Sequence, residues 1–121
     1  MLLFITILPM GASAYEPYAS MVFADAGVVL RSDKAVDFSA NTTKPFPTIK
    51  VTSCTLQRKL GSLWVSAGTL TPPSYTAQNV MEYDATADYS SNIPNGDTYR
   101  ILAVFSAGGE TVMRTSKERA F

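Results

Sequence analysis

Short runs of β-branched and aromatic residues, separated by clusters of Gly, Pro, Asn and Ser, recur along this chain, and no 3.6-residue apolar stripe lasts beyond two turns. The pattern is all-β. It predicts strands over residues 27–31, 35–42, 48–60, 63–70, 80–89, 98–107 and 111–119, and strands at this spacing suggest a two-layer antiparallel β-sandwich of about seven strands. In Val36-Asp37-Phe38-Ser39-Ala40 apolar and polar residues alternate, so Phe38 faces the core. Between Glu82 and Tyr89, Tyr83, Ala85, Ala87 and Tyr89 point one way, while Glu82, Asp84, Thr86 and Asp88 point to water.

The stretch from Ile49 to Leu56 breaks the alternation, because Ile49 and Val51 share one parity and Cys54 and Leu56 the other; a β-bulge near Ser53 reconciles them. Gly61-Ser62 then reads as a tight turn that pairs Leu56 with Ala67 and Arg58 with Val65. That register sets Trp64 opposite Lys59, on the face away from Cys54. At Ala107-Gly108-Gly109-Glu110-Thr111 a three-residue loop is expected, with Phe105 across from Met113 and Arg100 across from Glu118; a two-residue loop would bring Arg114 beside Ala103. The Pro-containing stretches 41–47 and 71–74, and the stretch 90–96, read as connectors.

Composition narrows the setting. The first ten residues are an apolar run too short to cross a bilayer, and Pro9, Gly11 and Ala12-Ser13-Ala14 follow it. This is the arrangement of a signal peptide over 1–14, although no basic residue precedes Arg31. Cleavage after Ala14 leaves 15–121 as a single, secreted, extracellular domain with no transmembrane segment. Ten basic and ten acidic side chains cancel, which makes nucleic acid a poor partner. The lone Cys54 forms no intramolecular disulfide and is read as a buried small hydrophobe, so the domain rests on its apolar core. A domain of this kind fits a bacterial secreted module better than a eukaryotic one.

The stretch Pro94-Asn95-Gly96-Asp97-Thr98-Tyr99-Arg100-Ile101 resembles the approach to the sixth strand of an immunoglobulin or fibronectin type III module. There the resemblance makes Tyr99 a tyrosine corner, its hydroxyl bonded to upstream backbone. Cys54 to Val65 is similar to the "L-Q-x-x-x-G-x-W" hairpin of extracellular β-sandwich modules. The whole layout also resembles small secreted proteins of unknown function from Gram-positive, clostridia-like bacteria. Ile101 stands where an immunoglobulin domain has its second cysteine, so the resemblance implies an immunoglobulin-like sandwich without the disulfide.

With no His in the chain, the commonest general base, the Ser-His and Cys-His pairs and most zinc sites are absent. The expectation is a non-enzymatic binding or surface-interaction module without a cofactor or metal, meeting an extracellular protein or glycan. Trp64, flanked by Lys59, Gln57 and Ser66, is the candidate contact, since an outward aromatic can stack a sugar ring or a partner side chain. Leu102 and Val104 face outward on the same sheet. Two rivals stand beside this reading. One is a carbohydrate-active or lectin-like protein using Glu82, Asp84 and Asp88 with Trp64 as sugar platform; the other is a structural subunit assembling edge to edge.

Overall fold

The computed structural model describes residues 20–121. The signal peptide expected over 1–14 lies outside the described residues. Eight strands follow one another: β1 (Phe23–Leu30), β2 (Ala35–Phe46), β3 (Ile49–Leu60), β4 (Leu63–Leu70), β5 (Val80–Asp88), β6 (Thr98–Ala107), β7 (Glu110–Thr115) and the two-residue β8 (Arg119–Ala120). All pairings are antiparallel. One sheet has the order β1-β2-β5, the other β4-β3-β6-β7 with β8 also on β6. The chain is thus the all-β, two-layer sandwich that its periodicity implies, and the segments 47–48, 71–79 and 89–97 carry it from one layer to the other.

Alternation determines what lies between the layers. Along β6, residues Tyr99, Ile101, Ala103, Phe105 and Ala107 are buried, while the intervening side chains are half-buried on the outer face. In β3 the expected bulge is present. Val51 pairs with Phe105 and Ser53 with Val104, leaving Thr52 as the extra residue, so Ile49, Val51, Cys54 and Leu56 all turn inward. Phe38 of β2, Tyr83 of β5 and Phe105 of β6 meet edge to face at the centre, with centroid separations of 6.5 Å (Phe38–Phe105) and 6.4 Å (Tyr83–Phe105).

The last hairpin departs from expectation. Ala107 pairs with Glu110 across a two-residue turn, so Phe105 faces Val112 and Ala103 faces Arg114, and Met113 points out. Gly108 and Gly109 both have left-handed φ values, +58° and +80°, as a type I′ turn demands, and a Cβ on Gly108 would run into the Phe46 ring. Arg114 is tolerated at this register because β7 is an edge strand, where an inward-parity side chain still reaches the flank of the sandwich. Downstream, Ser116 bonds Ile101 through both its N–H and its hydroxyl and breaks the strand, so Glu118 pairs with Lys59 instead of Arg100. In the β3–β4 hairpin, Arg58–Val65 and Lys59–Trp64 pair as expected, but Leu56 faces Gly68, with Ala67 as the extra residue of a second bulge. The segment 41–46 belongs to β2, not to a connector. Its one proline, Pro45, which has no N–H to offer, is accommodated because ladder pairing with β5 lapses between Asn41 and Phe46, and Pro47 lies just beyond the strand.

Tyr99 is buried and packs on Phe121, but among the described residues its hydroxyl reaches no upstream backbone. The hydroxyls that tie down the β4–β5 crossover are those of Tyr89, donating to the Thr71 carbonyl at 2.6 Å, and Tyr83, donating to the Tyr75 carbonyl at 3.0 Å. Tyr89→Phe therefore removes the hydrogen bond to the Thr71 carbonyl and is expected to cost about 1 kcal/mol in urea denaturation, while Tyr99→Phe costs clearly less. Equal costs would restore the corner to Tyr99.

Candidate functional site

The outer face of the five-stranded sheet is built by three register choices. The Gly61-Ser62 turn aims Trp64 outward, opposite Lys59. Pairing of β3 with β6 sets Gln57 beside Arg100. The break at Ser116 carries Glu118 over the same face, within 3.1 Å of the Lys59 ammonium.

These side chains form one connected group. The Arg100 guanidinium lies over the Trp64 ring, with Cζ 4.3 Å from the centroid, and its Nε donates to Gln57 Oε1 at 2.7 Å. Burial lowers the Arg100 pKa, while nearby Glu118 opposes the shift. Lys59 Nζ approaches the indole at 5.9 Å and holds Glu118 on its other side. Trp64 is accordingly half-buried by its neighbours and outside the core. All three candidate residues, Trp64, Lys59 and Gln57, are thus brought together. Arg100 was not legible as their partner, because the β3–β6 register joins segments more than forty residues apart and no turn in the sequence encodes it.

Near this group the outer face turns apolar. Leu102 and Val104 are half-buried, and Met113, paired with Val104, is 49% exposed. The expected outward parity of Leu102 and Val104 is therefore present.

Glu82, Asp84 and Asp88 lie exposed on β5, together on the outer face of the other sheet. The structure separates them from Trp64 by the thickness of the sandwich. Asp84 sits opposite Ser39, and Asp37 accepts hydrogen bonds from Thr86 at 2.7 Å and Arg31 at 3.2 Å. The Ser90 main-chain N–H holds the Asp88 carboxyl below its ordinary range, the reverse of what a general acid needs. Among the described residues no three His, Cys, Asp or Glu side chains are grouped to hold a metal ion. Cys54 is buried, and desolvation pushes its thiol up to about 11, a state without nucleophilic character at neutral pH.

Comparisons with protein families, curated proteins and solved structures find no match for this chain. Among the described residues no helix is long and apolar enough to cross a membrane.

The position of Trp64 has a direct optical consequence. Its emission is expected to be red-shifted and open to a soluble quencher, and Trp64→Ala to cost about 1–2 kcal/mol, below the 3–5 kcal/mol of a core aromatic. Blue-shifted, protected emission would place the indole inside.

Proposed function

We propose that this chain is a secreted, non-enzymatic binding module of immunoglobulin or fibronectin type III kinship that meets an extracellular protein or glycan through the Trp64 face. One observation carries the reading: an outward indole is held in place from two sides by Arg100 and Lys59, each itself anchored, by Gln57 and Glu118. Ordering such side chains before contact reduces the entropy lost on binding. Tryptophan and arginine are also the residues that most often dominate an interface. The kinship is supported by strand order, with the first, second and fifth strands in one layer and the fourth, third, sixth and seventh in the other. Charge favours a neutral or anionic partner, since this face carries Lys50, Lys59 and Arg100 against Glu118.

Binding to arrays of glycans and of extracellular proteins tests the reading, with the wild type compared with Trp64→Ala and Arg100→Gln. A ligand lost in both variants while each stays folded supports it. A ligand retained by both, or turnover of any glycan, overturns it. Secretion has its own test in the natural host: exported protein is expected to begin at Tyr15, and intact Met1 in the medium would exclude cleavage there.

A further inference from the structure

The flank of the sandwich between β1 and β7 holds a second feature, independent of the Trp64 face. β1 is an edge strand, and its hydrogen-bond phase can be read from one contact. The Arg31 N–H donates to the Ala35 carbonyl at 2.9 Å, and Leu30 pairs with Val36, so the hydrogen-bonded pairs continue as Val29–Asp37 and Gly27–Ser39. The main-chain groups of Ala26, Val28 and Leu30 therefore point away from β2. Leu30 confirms this direction, because its carbonyl accepts a 2.9 Å hydrogen bond from Arg119 Nε across the flank.

The two layers are tied at both ends of this flank and part between. Arg119 closes one end. At the other the Ser20 hydroxyl donates to Glu110 at the start of β7 and accepts from the Phe23 N–H. Between them lies a cleft of about 310 Å³, with β1 residues 26–30 on one wall and Arg114, Thr115, Lys117, Glu118 and Arg119 on the other. Glu118 lines the cleft as well and pairs with Lys59, and the cations of Arg114, Lys117 and Arg119 outnumber it at this rim. Edge strands are usually blunted by a charge, a proline or a cover. Residues 26–30 of β1 carry no charge and no proline, among the described residues no strand pairs with this edge, and Val29 is 56% exposed.

We propose that this cleft is a strand-addition site for a short extended peptide carrying a carboxylate. The peptide hydrogen-bonds the open N–H and C=O groups of Ala26 and Val28 as an added strand, and its carboxylate meets Lys117 and Arg119. The span left open by the Arg119 tie takes a ladder of about four residues, at ~3.3 Å each. The occupant is thus a terminal or loop segment.

The probes are acetylated Thr/Val peptides of about six residues, bearing a Glu side chain, a Gln in its place, or no Glu but a free C-terminal carboxylate. Amide NMR of the whole protein is the readout. Saturable shifts and slowed exchange at Ala26 and Val28 are expected with a carboxylate-bearing peptide, with Glu and free-terminus arms distinguishing the two sources. The Gln peptide and the Lys117→Glu protein should each bind about fivefold more weakly. N-methylation on alternate peptide residues should abolish binding in one phase only, a test that needs no protein variant. Trp64→Ala should leave these shifts unchanged, so this site and the Trp64 face fail or stand separately. Equal effects of the two N-methyl phases, shifts that bypass Ala26 and Val28, or free protein that self-associates through β1 would each overturn the proposal.

Discussion

Phe105→Ala is expected to unfold most of the protein at 37 °C, lowering stability at 25 °C by about 3–5 kcal/mol. The ring is fully buried on β6, the strand that pairs with β3, β7 and β8. It meets Phe38 and Tyr83 of the opposite sheet edge to face, so its removal opens a cavity lined from both layers, which neither sheet can fill without leaving its own register. A domain of this size commonly has about 5–15 kcal/mol in total, and this one has no disulfide to limit the loss. Phe105→Leu, which keeps most of the volume, should cost less than half as much. Urea denaturation checks both, and a midpoint for Phe105→Ala within error of the wild type would mean that the two layers do not meet at this ring.

The fold was legible where local rules act alone. Alternation placed Phe38, Tyr83 and Phe105 inside, the parity break between Val51 and Cys54 located the bulge, and Gly61-Ser62 fixed the outward Trp64. The misreadings occurred where a tertiary circumstance decided between local options. A two-residue Gly108-Gly109 turn looked costly because it put Arg114 in an inward register, yet on an edge strand that register opens onto the flank. The prolines of 41–47 looked like a break, but the lapse in pairing after Asn41 lets β2 run past Pro45. Tyr99 had the sequence setting of a corner tyrosine, while the hydroxyls that bind the crossover sit at Tyr83 and Tyr89, whose acceptors at Tyr75 and Thr71 lie in a loop with no periodic signal. At the candidate site, Trp64, Lys59 and Gln57 came from one hairpin. Arg100 arrives from β6 and Glu118 from the segment between β7 and β8, and neither carries such a signature.

Stability is expected to fall steeply between pH 10 and 12, because three acids are buried in their neutral forms. Desolvation raises the Tyr83 hydroxyl from its ordinary 10.0 to about 12, raises the Tyr89 hydroxyl further, and raises the Cys54 thiol from 9.0 to about 11, with Cys54 and Tyr89 facing each other. In the unfolded chain these groups deprotonate at their ordinary values, so in that pH window the native state binds more protons than the unfolded state. Their contribution is intact below about pH 9 and is lost as pH climbs toward the folded values. Tyr83 alone accounts for roughly 2–3 kcal/mol, at ~1.4 kcal/mol per pH unit. Ionisation also removes the protons with which Tyr83 and Tyr89 hold the crossover carbonyls. Circular dichroism and tyrosinate absorbance followed together across pH 9–12 test this, since the phenolates of Tyr83 and Tyr89 should appear only as the sheet signal disappears. Tyr83→Phe separates the two effects. Near neutral pH it should lose about 1 kcal/mol with the hydrogen bond to Tyr75, yet its stability should decline less steeply with alkali than the wild type's. Tyrosinate formation at Tyr83 and Tyr89 in a fully folded chain near pH 10 would show that both hydroxyls reach water.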